Sequence, residues 1–167
     1  MFYQANIIFS ESFYGKIVDN IKDAIRGINY TKEYINSLMQ VMESNLTFIP
    51  SSTDKSQYVD ISLYDHSKMT AAFGLCIEQY LVENEITNYN EELFKKTKEF
   101  YKKKVFGLLS IDLSGIQSFI YNISDEKALK NLRARSFYLE MLMEHCVDEL
   151  IERCGLCRAN VMYTGGG

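Results

Sequence analysis

Pro50 is the only proline in 167 residues, and three of the nine glycines stand together at the end as Gly165-Gly166-Gly167. Proline and glycine are the strongest local breakers of regular structure. Their scarcity between those points favours long helices over a many-stranded barrel. Apolar residues supply 47% of the chain and aromatics 13%, enough to pack a core, so disorder is not the expected state.

The formal net charge of −4 and a sequence pI near 5.3 exclude a chain that coats nucleic acid by bulk charge, because phosphate binding needs a concentrated basic face. Any such contact must be local. The candidate is the stretch in which Lys95, Lys96, Lys98, Lys102, Lys103 and Lys104 surround Phe100 and Tyr101. It reads first as a solvated helix end and only second as a nucleic-acid patch. Cys76, Cys146, Cys154 and Cys157 form no regular disulfide framework, which points to reduced thiols in a cytoplasmic protein. The Cys154-x-x-Cys157 spacing is one that zinc sites use, but no second Cys/His pair accompanies it. No apolar run approaches the length of a membrane span, and no membrane partner is expected.

Phe13, Ile17, Ile21 and Ile25 recur at helical spacing, and Tyr34, Leu38, Val41 and Met42 repeat the pattern. Pro50 ends the second helix, and residues 51–60 read as a loop. Ser62-Leu63-Tyr64-Asp65 has the form of a capping box and opens a third helix running through Ala71, Ala72, Leu75, Ile77 and Leu81. Val105 to Ile111 is a short apolar run whose length suits a buried strand, and Ile116 to Tyr121 suits a short helix. Ser124, followed by Asp125 and Glu126, suits the N-cap of a long helix reaching Arg153. Its stripe is Leu132, Leu139, Met143, Val147 and Leu150, and Gly155 ends it. Ala159 to Tyr163 reads as a second strand. The expected class is α+β, predominantly helical, with a boundary near Lys103 separating residues 1–103 from 104–167. A lone β-α-β unit leaves sheet edges uncovered, so the expectation is that the chain stops in mid-domain.

Three strings together resemble one family: SIDLSGIQSFIY (Ser110 to Tyr121), LKNLRARSFYLEML (Leu129 to Leu142) and RANVMYTGGG (Arg158 to Gly167). They are similar to the opening of the first palm domain, a ferredoxin-like fold, in the large subunit of type III-A (Csm-type) CRISPR effector complexes. FIPSSTDKSQYVDISLYDHSKMTAA (Phe48 to Ala72) resembles the latter part of that subunit's all-α HD-type nuclease domain. The resemblance implies a protein that, once its guide RNA pairs with a target RNA, cuts single-stranded DNA and joins ATP into cyclic oligoadenylates. It implies a divalent metal (Mg or Mn) and ATP as cofactors and the small Csm subunits as partners. Two departures stand out: no His-Asp dipeptide of the nuclease and no Gly-Gly-Asp-Asp turn of the cyclase is present. The expectation is an inactive fragment. The alternatives are a degenerate palm acting as a nucleotide-binding scaffold, or a piece of a GGDEF-type nucleotide cyclase.

Under that resemblance, Asp112 ends the first strand, where a carboxylate can meet a metal or a ribose. Ser114, Gly115 and Gln117 follow in a turn whose glycine lets a nucleotide approach the backbone. Arg133, Arg135 and Ser136 would flank an ATP-binding face, and arginine can fork onto phosphate. Structural ion pairing is the competing role. Gly165, Gly166 and Gly167 occupy the turn that carries the catalytic carboxylates in an active palm; without carboxylates they point to binding rather than catalysis. Asp65 and His66 are candidate metal ligands for the nuclease pocket, although helix capping already accounts for Asp65. His145, inside the long helix, reads as structural.

Overall fold

The computed structural model describes residues 10–31, 34–52, 60–121 and 128–164, and it divides into two compact units, Met1–Thr70 and Ala71–Gly167. The described residues are helical with irregular connections.

In the first unit, α1 (Glu11–Ile25) starts at Ser10, whose hydroxyl accepts the Phe13 N–H at 3.2 Å while its own backbone is extended. That bond satisfies one of the amides a helix start leaves unpaired, and Glu11 complements the helix dipole. Phe13, Ile17 and Ile21 lie on one face and are partly buried, so the spacing read from the sequence is the spacing that packs. They meet Met42 of α2 (Ile35–Leu46) and the buried trio Leu46, Ile49 and Tyr64. Burying a side chain the size of Ile49 contributes roughly 2 kcal/mol. The helix ends at Leu46, four residues before Pro50, and Pro50 forms an isolated antiparallel bridge with Ser62. Ser51 N–H donates to Ile61 O at 3.0 Å and Leu63 N–H to Ile49 O at 2.6 Å, which holds residues 49–51 against residues 61–63.

Ser62 caps α3 (Leu63–Glu83) as its sequence suggested: its hydroxyl accepts the Asp65 N–H at 3.0 Å and donates to the Asp65 carboxylate at 2.7 Å. Tyr64, one residue earlier, is buried. Burial pushes its phenol up from the ordinary value, and the nearby Glu43 and Asp65 charges add to the effect.

The second unit holds the rest of α3 from Ala71. That helix ends in a Schellman arrangement, with Glu85 N–H donating to Val82 O and Ile86 N–H to Leu81 O. The left-handed position is taken by Glu85 at φ 56°, where glycine is the usual occupant. A π-helical turn (Asn90–Lys95) and α4 (Thr97–Phe100) follow. Lys96 N–H reaches five residues back to Glu91 O at 3.0 Å, and the Thr97 hydroxyl lies 2.8 Å from both Leu93 O and Phe94 O. Phe100 is buried edge-on against Tyr80, ring centroids 6.2 Å apart.

After α5 (Ile116–Tyr121) comes α6 (Ala128–Arg153), and a 3-10 turn (Arg158–Asn160) follows it. Leu132, Leu139, Met143, Val147 and Leu150 are all half-buried, as their stripe required. Gly155 closes α6 at φ +63°, with Gly155 N–H on Glu152 O and Leu156 N–H on Ile151 O. The Gln79 amide of α3 donates to Cys154 O at 2.9 Å and Gly155 O at 2.8 Å, covering two carbonyls that the helix end leaves open. Asn160 fastens the next segment to the same helix by donating to Ala72 O at 3.1 Å, while its carbonyl oxygen accepts the Cys157 N–H at 3.3 Å.

Two expected elements are corrected. Val105–Ile111 is not a strand, and neither is Ala159–Tyr163; no strand lies among the described residues. Leu108 is 82% exposed and Leu109 69%, while Phe106 leans on Phe73 with ring centroids 4.9 Å apart. An apolar run is drawn into a sheet only when a neighbouring chain supplies the ladder, and among the described residues none does. In the second case, Asn160 and Arg158 find side-chain partners that wind the backbone into a 3-10 turn around the buried Ala159. Among the described residues the β-α-β portion of a ferredoxin-like palm is therefore not formed, and they are helical rather than α+β. The expected Ser124 cap, with Asp125 and Glu126, lies outside the described residues.

Candidate functional site

Most of the sequence-derived nucleotide residues fall on α5, on α6 and on the turn before α5. Ser114-Gly115 makes that turn, and Gly115 takes φ +78°. A Cβ there would meet nothing within 4 Å, so backbone conformation, not room, is what calls for glycine. Gly115 O accepts the Phe119 N–H at 3.0 Å and closes the first helical turn.

Arg135 bridges from α6. Its Nη1 donates to Phe119 O at 2.6 Å, and its Cζ stands 5.3 Å from the centre of the Phe119 ring. Tyr138 meets the same ring at 6.3 Å between centroids. One guanidinium thus satisfies a carbonyl of a short helix and makes a cation–π contact, which holds α5 against α6. Structural anchoring is what the geometry gives Arg135 first. Arg133 and Ser136, sharing an i, i+3 face of α6, are exposed, as are Asp112, Ser114 and Gln117. Asp112, Ser114 and Gln117 lie on or just before α5, and Arg133 and Ser136 on α6, which packs against it; carboxylate, hydroxyl and guanidinium groups are of the kinds that hydrogen-bond phosphate and ribose. Gly165, Gly166 and Gly167 lie outside the described residues.

Asp65 and His66 are exposed in the first turn of α3, and the Asp65 carboxylate is engaged by the Ser62 hydroxyl. No group of three His, Cys, Asp or Glu side chains that could hold a metal occurs among the described residues. The pair alone does not fit a divalent-metal centre, which needs further ligands. The four cysteines are free thiols. His145 is exposed on α6.

The lysine-rich stretch divides sharply. Glu91 pairs with Lys95 at 3.3 Å and Lys96 at 3.6 Å, and Glu92 binds Lys103. The Glu92 hydrogen bond raises the Lys103 pKa above its ordinary value. Lys98, Lys102 and Lys104 have no carboxylate partner among the described residues. Arg158 is held between Glu144 at 2.7 Å and Asp148 at 2.5 Å. Burial opposes its charge, but the hydrogen bonds and charges of these carboxylates outweigh that and raise its pKa. Sequence reading did not single out Arg158, Asn160 or Gln79. Each is a polar residue near a helix end whose partner lies 10 to 88 positions away, and no local signal marks such pairs.

Residues 105–167 match the family described as Csm1 subunit domain B. Over 163 residues, 95% of the chain, it is 50% identical to an Enterococcus italicus protein named CRISPR system single-strand-specific deoxyribonuclease Cas10/Csm1 (subtype III-A). The chain carries a match to Csm1 domain B and is similar along nearly its whole length to subtype III-A Cas10/Csm1 proteins. The Mycobacterium tuberculosis member with the same name is 48% identical over 96% of the chain, and the Methanocaldococcus jannaschii member 33% over 94%. The chain covers 22%, 20% and 21% of these three relatives, about a fifth of a Cas10/Csm1 protein. Similarity to Cas10/Csm1 thus reaches across both compact units and takes in the α1–α2 region, for which the sequence alone offered only compatible helices. No helix among the described residues is long and apolar enough to cross a membrane.

Proposed function

We propose that this chain is part of the large subunit of a type III-A CRISPR effector, and that the whole subunit is a target-RNA-activated single-stranded DNA nuclease and ATP-dependent cyclic oligoadenylate synthase. The observation that carries the reading is 48% to 50% identity, over 95% or more of the chain, to proteins named single-strand-specific deoxyribonucleases. That likeness favours it over a GGDEF-type cyclase. Small Csm subunits, guide RNA and target RNA are its proposed partners, with cytoplasmic single-stranded DNA as substrate and a divalent metal, Mg or Mn, in the whole protein.

Within this chain the proposed role is nucleotide contact. Asp112, Ser114, Gly115, Gln117, Arg133, Arg135 and Ser136 form the surface that would meet ATP, and the terminal glycines would add close backbone approach. When bound, ATP supplies the nucleotidyl group of the synthase reaction. The side chains here orient it through phosphate and ribose contacts rather than transferring protons or holding metals. Neither a His-Asp dipeptide nor a Gly-Gly-Asp-Asp turn occurs in the 167 residues, so these residues alone are expected to have neither activity.

The test assembles the full-length subunit of the relatives' size with guide RNA and follows cleavage of labelled single-stranded DNA and conversion of ATP, with and without target RNA. Cleavage and cyclic product only when target RNA is present support the proposal. A subunit that cuts no single-stranded DNA under any of these conditions sinks the nuclease reading, and one that leaves ATP intact sinks the synthase reading. Should Asp112→Asn and Ser136→Ala leave ATP affinity unchanged, the nucleotide surface is misplaced.

A further inference from the structure

We propose that α4 and the turn after it present a binding site for single-stranded DNA, built on Tyr101 with Lys98 and Lys102 beside it. Helical hydrogen bonding continues past Phe100, because Tyr101 N–H donates to Thr97 O, Lys102 N–H to Glu99 O and Lys103 N–H to Phe100 O. Residues three and four apart on such a turn share a face, which puts Lys98, Tyr101 and Lys102 together. The opposite face is spent on the fold: Phe100 is buried against Tyr80, and Lys103 is tied to Glu92. The outward face is left free. Tyr101 is 83% exposed, and neither flanking lysine has a carboxylate partner among the described residues.

Charge supports the assignment. Residues 91–104 carry six lysines against three glutamates in a chain whose net charge is −4. Glu91 and Glu92 are paired with Lys95, Lys96 and Lys103, which leaves Glu99 as the remaining acid of the stretch. Lys104, also without a carboxylate partner among the described residues, extends the basic rim. An exposed aromatic ring between lysines is how proteins hold single strands: an unstacked base lies on the ring and the ammonium groups meet the flanking phosphates. A duplex keeps its bases stacked on one another and cannot use the ring. The choice of DNA rests on the proposed function, since the relatives are named for single-strand-specific deoxyribonuclease activity.

The experiment titrates the 167-residue chain against a fluorescently labelled oligothymidylate, its duplex with oligoadenylate and the RNA oligomer of the same sequence, at several salt concentrations. The parent chain is expected to prefer the DNA single strand. Tyr101→Ala is expected to lose about tenfold in affinity with an unchanged circular dichroism spectrum. Lys98→Gln with Lys102→Gln is expected to lower the slope of log affinity against log salt by about 0.7 per lysine. Arg26→Gln, in the other compact unit, should change nothing. Equal affinity for duplex, tighter binding of the RNA, an unaffected Tyr101→Ala or no binding by the parent chain each overturn the site. Cleavage by the full subunit is scored separately, so a binding site without nuclease activity and a nuclease without this binding site remain distinct outcomes.

Discussion

Gly155→Ala should destabilise the second unit through two separable effects. The first is conformational: residue 155 sits at φ +63°, where an L side chain costs about 1 to 2 kcal/mol that glycine does not. The second is contact: an alanine Cβ would come within 2.8 Å of the Gln79 amide nitrogen. That nitrogen is the end of a flexible side chain, so it swings away rather than resisting, but in doing so it surrenders its bonds to Cys154 O and Gly155 O. Both carbonyls are near solvent, so the loss is about 1 kcal/mol. The expected total is about 2 to 3 kcal/mol for Gly155→Ala and about 1 kcal/mol for Gln79→Ala. Because the alanine already evicts Gln79, the double variant should be no worse than Gly155→Ala alone, a coupling of about 1 kcal/mol. Urea unfolding followed by far-ultraviolet circular dichroism on all four proteins gives the cycle. Additive losses, or a neutral Gly155→Ala, would refute the cap.

Glu85→Gly should do the reverse, raising stability by about 1 kcal/mol in the same urea assay, because it relieves a left-handed glutamate at the end of α3. Tyr64 has a folded-state pKa raised above 10.0, so the folded chain keeps a proton that the unfolded chain gives up. The stability this phenol contributes is full below pH 10.0 and is lost as pH rises from there through the folded value. Tyr64→Phe should flatten this alkaline decline in a pH series of melts, and an identical decline in both proteins would show that the burial of the phenol is not its cause.

What could be read in advance was local. The Phe13-Ile17-Ile21 stripe, the Ser62 cap and the Gly155 stop each announce themselves within a turn or two of chain, since 3.6-residue periodicity and capping chemistry depend on near neighbours. The run VFGLLSI carries an equally strong apolar signal but no information about a pairing partner, so it suggested a strand the described chain does not build. Arg135 shows the same limit within the candidate surface. The resemblance offered it as a phosphate ligand with structural pairing as the competing role, and sequence could not foresee its bond to a carbonyl 16 residues earlier. Its neighbours Arg133 and Ser136 are exposed as a contact surface requires, yet exposure alone does not distinguish a ligand from a solvated side chain. The Glu91–Lys95 pair is an i, i+4 spacing that sequence can show, but the capture of Lys103 by Glu92, 11 residues away, was hidden.

That turn also dictates which genetic changes the region can bear. A π-helical turn carries one residue more than an α-helical one, so deleting any single codon between Asn90 and Lys95 would let the backbone revert to uninterrupted α-helix with α4. The flanking helices would keep their relative facing, because the deletion removes the extra residue, whereas the same loss within a plain α-helix turns one side by about 100° against the other. The turn is therefore where this region bears an in-frame loss of one residue, provided that Glu91 and Glu92, which pair with Lys95, Lys96 and Lys103, are kept. The segment is constrained in composition more tightly than in length.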